Sequence, residues 1–437
     1  MYMNVKKVEN MYAPRYDMDF VNYIKDLLLR IRHDDLSTSE KELFKLKLNN
    51  IRDSDILLIV HEWRNSDMGI TRADVKRFFS LFETVFGRRI EQIEKTFPKN
   101  HPVQVYLREN ELLDKHIEEI HSLMERVEQN HKLLKEKHIM TNIRKQIYKF
   151  GQFINHFNRK EKLFFPRLER YGEFSLTRLM WSADDRIRNL YKGTKSMIDR
   201  IEHLDFSYIY RTFHMFKQHL QEMILQEKIF LLPVIIDIFT DDDWQAIAEE
   251  SDAYGYSFFT PEAYVQHHQD TDIKREIDET LKHKQFAFGG GYLTLEEADA
   301  ILNNLPVEIT FVDRFGMFKY FNKMVEASEM MFIRTPSSIG RNVGNCHPPK
   351  SMRKVATLIR DLQIKRREYE CMWFKKDGKY VHITYKGLFS KEGKFLGILE
   401  YVQDIQPFFE LPREVKKELS PIEDNREDIN NIEPLDN

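Results

Sequence analysis

The sequence predicts a multidomain chain: an all-α N-terminal domain, then a four-helix bundle, then an α+β domain built on a five-stranded antiparallel sheet. Three observations predict it. The 437 residues exceed what one ordinary core organises, at roughly 100 to 200 residues per domain. Apolar positions recur at helical spacing from Phe20 to about Phe239, then alternate with a period of 2 in the C-terminal third. One helical ending is written twice, as HFNRKEKLFFP at 156–166 and MILQEKIFLLP at 223–233.

The elements follow in order. Over 18–94, FVNYIKDLLLRI and DILLIVHEW carry the helical pattern, while DLSTSEKELF and GITRADVKRFF supply start signals. A break at FPKNHP (97–102) precedes four amphipathic stretches near 102–130, 139–170, 182–203 and 207–239. Long helices with short connections predict an up-down-up-down bundle over 101–240, whose interior is a customary place for metals and ligands. From 241 to 290 the polar composition predicts a partly helical linker. The glycines of GGG (289–291) precede a helix, TLEEADAILNNL, but follow a linker rather than a strand, so they fail the dinucleotide-binding context. Within 291–408, ITFVD (309–313) and MFKYFN (317–322) flank a turn at Asp313–Gly316 and predict a hairpin. A helical middle reaches about Arg367, and three further strands follow with turns at KKDG and SKEG. The acidic tail, 411–437, has no aromatic residue and is expected to be disordered.

Composition excludes several classes. Apolar content of 42% and charged content of 31% are those of a globular protein, and a net charge of −3 leaves no nucleic-acid footprint. Two cysteines exclude a disulfide framework and fit a reducing compartment. No apolar run spans a bilayer, and MYMNVKKVEN lacks the core of a signal peptide, so the expected address is the cytoplasm. There is no G-x-x-x-x-G-K-[ST] loop and no nucleophile motif with a recognisable partner. The chain reads as an input without an attached output.

The segments ENELL (109–113), HFNRKEKLFFPRLE (156–169), MWSADDRIR (180–188), LPVEITFVD, IGRNVGNCHPPKS and LGILEYVQDI carry a resemblance. They are similar to bacterial proteins that join a small helical domain of unknown function, a hemerythrin-like HHE cation-binding domain and a PAS domain. The resemblance implies cytoplasmic sensing or signalling. It also implies iron or another divalent metal in the bundle, haem or a small metabolite in the PAS domain, or no ligand at all. The implied partners are a second copy, held through the PAS domain, or a signalling protein.

Bundles of this kind present a histidine and a carboxylate four residues later on two helices, since i and i+4 share a face. The first copy has His156 but Lys160 at the carboxylate's place, with Glu161 beside it; the second has Met223 and then Glu227. On the other helices Asn110, after Glu109, and Asp185, after Asp184, stand for histidines. Two readings follow. His156, Asp185, Glu227 and Glu109 hold one divalent iron, manganese or zinc. Alternatively, the Lys160 ammonium takes the cation's place in a buried charge cluster with Glu227 and Asp185, because a buried charge must be paired.

Other residues have blander alternatives. Glu118 with His121, and His214, His219 and Glu222, read first as solvated helix faces; His267 and His268 lie in the linker. Cys346 and His347 are of haem-ligating types, against an ordinary helix boundary with an inward-packed thiol. An asparagine-cysteine pair also suggests a flavin photosensor, but the chain continues HPPK where those proteins carry flavin-holding side chains. Trp373 is expected on the packed face of the sheet, with His382 on the neighbouring strand. The expected function is a sensor or adaptor; the alternatives are an iron-dependent carrier or enzyme of oxidative or nitrosative defence, and a haem-binding PAS sensor.

Overall fold

The computed structural model describes residues 22, 23, 26, 30, 36–48, 96–172, 174–264, 284–348 and 351–411. Of the N-terminal unit it gives α1 (Thr38–Leu48), preceded by Leu36, which is buried in the bundle's apolar cluster. The rest of that unit, the histidine pair at 267–268 and the tail beyond Leu411 lie outside the described residues.

Four helical spans form the bundle. Helix α2 (Pro102–Gln129) starts at a proline, whose missing N–H would be unpaired in a first turn anyway, and is capped by His101 Nδ1 accepting from Val103 N at 3.2 Å. Burial pushes the His101 pKa down to about 4, which keeps that nitrogen's lone pair for the cap. Helix α3 (Lys137–Phe150) is followed by α4 (Phe153–Arg159), with Gly151 and Gln152 between them still in right-handed helical conformation, then by a π turn (Lys160–Phe164) and α5 (Phe165–Arg170). Helix α6 (Ser175–Asp199) begins a full two turns earlier than the sequence pattern suggests. Helix α7 (Phe206–Gln226), capped by Asp205, runs through a second π turn (Glu227–Leu231) into α8 (Leu232–Ile238). Helices α2, α3, α6 and α7 pack each against its neighbour around a ring, the arrangement expected for short connections. Phe150, Phe153, Phe157, Phe213 and Phe216 fill the centre, each contributing about 2 to 3 kcal/mol by burial.

The π turns have one cause. Each precedes a proline, Pro166 or Pro233, which cannot donate to the carbonyl four residues back. The backbone widens instead, and Phe165 N bonds Lys160 O, as Leu232 N bonds Glu227 O, five residues back.

The segment read from sequence as a linker from 241 is in its first part built onto the bundle. Thr240 and Asp243 form a capping box for α9 (Asp241–Ser251), and Trp244 and Ile247 are buried in the bundle's apolar cluster.

The C-terminal domain opens with a hairpin of β1 (Phe286–Phe288) and β2 (Gly291–Leu293), so the glycines do follow a short strand: Gly289 and Gly290 make its turn and Gly291 starts β2. Helix α10 (Leu295–Asn304) has its own capping box, from Thr294 and Glu297. Strands β3 (Glu308–Asp313) and β4 (Phe318–Phe321), helix α11 (Met352–Gln363), strands β5 (Tyr369–Lys376), β6 (Lys379–Phe389) and β7 (Phe395–Asp404), and α12 (Gln406–Phe409) complete it. The sheet is antiparallel in the order β4-β3-β7-β6-β5. Asp377 and Gly378 both have positive φ, 50° and 84°, the two-residue turn that suits the β5–β6 hairpin. Ile383 stands opposite Val402, and with Val381 they form the apolar centre of one face, packed by Met331, Phe332 and Tyr385. Trp373 pairs with His382, one residue out of phase with Ile383, so both belong to the other face. Trp373 is 68% exposed and does not fill the packed face.

Candidate functional site

The two π turns meet at the centre of the bundle. His156 and Lys160, four residues apart, project from the first span toward Glu227 on the second, and all three side chains have no exposure. Lys160 Nζ donates to Glu227 Oε1 at 2.5 Å and to Asp184 Oδ1 at 2.7 Å. It also lies 4.3 Å from the centre of the Phe157 ring. His156 Nε2 faces Glu227 Oε2 at 2.9 Å and its Nδ1 faces Glu109 Oε2 at 2.7 Å. Glu109 is further bound by the Arg159 guanidinium and, on its other oxygen, by Ser257 N at 2.7 Å. Gly255, at φ +72°, bends the chain there so that the turn closes over the bundle. Tyr106 stacks on His156 at 4.0 Å.

These groups set each other's charge. Burial opposes ionisation of Glu227, but Lys160 and His156 outweigh it and hold the carboxyl at about 2. Burial likewise works against the charged forms of His156 and Lys160, and the surrounding carboxylates raise both pKa values nonetheless. Both ring nitrogens of His156 face carboxylate oxygens, so both carry protons. For Asp184 burial prevails over Lys160 and pushes its carboxyl well up.

Two family models match the chain: the hemerythrin HHE cation binding domain over residues 101–235 and a PAS domain over 298–406. The chain joins a hemerythrin HHE domain to a PAS domain. Among solved structures it is similar to a C-terminal domain from Streptococcus mutans, at 50% identity, covering 30% of this chain and 99% of that one with a TM-score of 0.29. It is also similar to the PAS domain of a Colwellia psychrerythraea protein, at 17% identity over 26% and 98% of the two chains, TM-score 0.21. A sensory box sensor histidine kinase from Vibrio cholerae matches at 14% identity over 24% and 88%, TM-score 0.19. A comparison with curated proteins finds none that matches.

The residues of the HHE centre do not fit a divalent ion. His156 has no free lone pair, and both oxygens of Glu109 and of Glu227 are already hydrogen-bonded. Tyr106 Oη, the Asn110 amide, Arg159 Nε and Asp184 Oδ2 are also buried there without a hydrogen-bond partner. The guanidinium nitrogen has no lone pair to give and burial pushes the Tyr106 phenol well up, which leaves Asp184 Oδ2 as the one carboxylate oxygen among them, too little for iron, manganese or zinc. Among the described residues no group of three or more histidines, cysteines or carboxylates is arranged to hold a metal.

Of the residues nominated from the sequence, His156, Glu109, Glu227 and Lys160 come together. Asp185 does not: successive helix residues point about 100° apart, and it is Asp184 that meets Lys160. Asp185 lies 4.0 Å from Arg188. Glu161 is buried but faces away from the cluster, bound by Arg188 Nη1 at 2.6 Å. Asp184, Arg159 and Ser257 were not legible as partners. Elsewhere in the HHE domain, His121 Nε2 lies 3.3 Å from His214 Nδ1, Lys217 Nζ binds Glu118 at 2.7 Å, and His219 is 3.7 Å from Glu222.

Cys346 and His347 sit on a PAS loop. The thiol donates to Asn342 O at 3.5 Å, and His347 Nδ1 bonds Val343 O at 2.9 Å. Burial pushes the Cys346 thiol up, away from the thiolate a metal needs. The start of the same loop docks the two domains. Arg341 grips Glu169 with two bonds, Nε at 2.8 Å and Nη2 at 2.9 Å, and donates through Nη1 to Glu161 O at 3.0 Å. The π turn makes that carbonyl available: Phe165 N is taken by Lys160 O, and Pro166 has no N–H. Ser337 Oγ accepts from Arg167 Nη1 at 2.5 Å and donates to Glu250 at 2.8 Å.

Proposed function

We propose that this protein is a cytoplasmic sensor or signalling adaptor in which the HHE bundle works without a metal and is coupled directly to the PAS domain. The observation that carries this reading is the Lys160 ammonium between Asp184 and Glu227, a cation supplied by the chain itself. An iron carrier or enzyme needs an open coordination position, and His156 offers neither nitrogen. Coupling is supported by Arg341, which joins the PAS loop to the backbone next to Lys160. In this reading the PAS domain takes the signal, and the bundle relays it through the π turn. The partner is a second copy or a signalling protein. Tyr369, Met372 and Trp373, exposed on the sheet's edge strand β5, support association there. No described helix is long and apolar enough to cross a membrane.

Elemental analysis and an absorption spectrum of untagged protein from iron-supplemented cells test the reading. The expected protein is colourless, holds metal far below one per chain, and keeps its unfolding midpoint in chelator. Iron or manganese near one per chain, lost in a His156→Ala, Glu227→Ala variant, would overturn it. A Soret band lost in a Cys346→Ala or His347→Ala variant would return the haem reading instead.

A further inference from the structure

A partly open cleft of about 500 Å³ lies where the HHE and PAS domains meet, with Glu169, Arg170 and Arg178 on the bundle side and Ser337, Arg341 and Asn342 on the PAS side. Three guanidinium groups face one carboxylate, and that carboxylate is spent, since both Glu169 oxygens are bound by Arg341. Arg170 and Arg178 are exposed. The Arg170 contact across the cleft, to Ile339 O, is long at 3.4 Å. Asn342 Nδ2 makes only a 3.9 Å contact with Met317 Sδ, which leaves an amide donor on the opposite wall. Phe174 and Pro166 add apolar surface. Clefts of roughly 300 to 1,000 Å³ with apolar walls and a few converging polar groups are typical of small-molecule sites, and they occur preferentially between domains.

The geometry points to a binding site for a small organic anion, a carboxylate or phosphate ester with an apolar body, held by Arg170 and Arg178 against the Arg341–Glu169 pair. Guanidinium groups match carboxylate and phosphate oxygens with paired hydrogen bonds. The site lies at the junction rather than inside the PAS sheet, and its ligand touches both domains. Occupancy therefore tightens the docking of the loop that reaches the π turn. The inference is independent of the metal question, because none of its residues belongs to the Lys160 cluster.

Calorimetric titration of the full chain with benzoate, phenyl phosphate and inorganic phosphate tests it, beside an Arg170→Ala, Arg178→Ala variant. Both side chains are exposed, so the variant should keep the parent's circular dichroism and unfolding midpoint without ligand. The expected result is binding of benzoate or phenyl phosphate, weakened at least about tenfold in the variant, with a ligand-induced rise in unfolding midpoint confined to the parent. Benzoate and phenyl phosphate together separate a carboxylate site from a phosphate site. No binding in the parent up to about 10 mM, or equal binding in parent and variant, would overturn the proposal. So would inorganic phosphate binding as tightly as phenyl phosphate, since the apolar body would then contribute nothing.

Discussion

The span through Lys160 and the span through Glu227 end alike, each in a π turn closed by an i to i−5 bond ahead of a proline, yet they bring opposite charge to the centre. The first contributes His156, Arg159 and Lys160; the second contributes Glu227, with Met223 at the place that His156 holds in the first. Two identical copies would gather carboxylates and neutral imidazoles, a set that calls for an external cation. Here the cations of the first copy are met by Glu227 of the second together with Glu109 on α2 and Asp184 on α6. A tethered ammonium cannot dissociate, and its association entropy is already met by the chain's connectivity. Both copies share the backbone device but not the ligand pairing, and in the first copy the device also frees the Glu161 carbonyl for docking.

The comparison breaks most visibly at Lys160. Lys160→Met leaves Glu227 and Asp184 buried without their ammonium, and removing one partner of a buried pair costs about 3 to 5 kcal/mol. The urea midpoint should fall accordingly. In Lys160→Glu an added divalent ion such as Mn²⁺ should recover part of the loss by supplying the missing cation. A Lys160→Met protein as stable as the parent would mean that the cluster is not held by charge.

Titration gives the next largest effect, and its two limbs have opposite sign. Glu227 is held at about 2 against an ordinary 4.5, so its contribution of about 3 kcal/mol is present above 4.5 and lost as pH falls toward 2. His156 is raised above 6.5, so its contribution is complete below 6.5 and lost as pH rises through the higher folded value. The raised Asp184 carboxyl also favours the acid side. Burial opposes ionisation of Glu109 too, but Arg159 and His156 outweigh it and hold its carboxyl down, so Glu109 shares the acid limb. Urea midpoints measured across pH should form a dome whose acid limb shrinks in Glu227→Gln. An acid limb of full size in Glu227→Gln would place the sensitivity elsewhere.

Arg341 probes the link between the first copy and the PAS domain. Arg341→Ala leaves the Glu161 carbonyl and the Glu169 carboxylate without this partner, a loss of about 2 kcal/mol from docking. Hydrogen exchange should quicken in 335–341 and around 161–169, and stay as it was in the β-sheet. Unchanged exchange at both places would show that Arg341 does not couple the domains.

The helices, the five strands of the sheet and the repeat were legible because each rests on local periodicity, whereas the strand order, with β3 beside β7, rests on pairing across the domain. His156, Lys160 and Glu227 could be nominated because i, i+4 spacing puts them on one face, and Glu109 because it precedes the residue at a histidine's place. The π turns left no mark on the apolar pattern. Their only sequence signal is a proline at the same place in both copies, within an apolar run that otherwise continues. Ser257 and Arg341 act across 148 and 180 residues, respectively, and each supplies what the bundle lacks, an N–H for Glu109 and a donor for Glu161 O. No local pattern encodes either contact.

The difference between two adjacent aspartates is the sharpest test of phase. The sequence pattern suggested that α6 began near residue 182; it begins at Ser175, and its phase decides which of two adjacent aspartates enters the core. Asp184 is fully buried on Lys160, whereas Asp185 is only partly buried and at 4.0 Å from Arg188. Asp184→Asn should cost about 1 to 3 kcal/mol through the weakened bond to Lys160, while Asp185→Asn should stay within about 0.5 kcal/mol. Equal losses would mean that phase singles out neither aspartate, and the reverse order would mean that α6 is turned by one residue. Lys160 would then share its ammonium with Asp185, and the lysine would still hold the centre by way of the neighbour that the sequence had suggested.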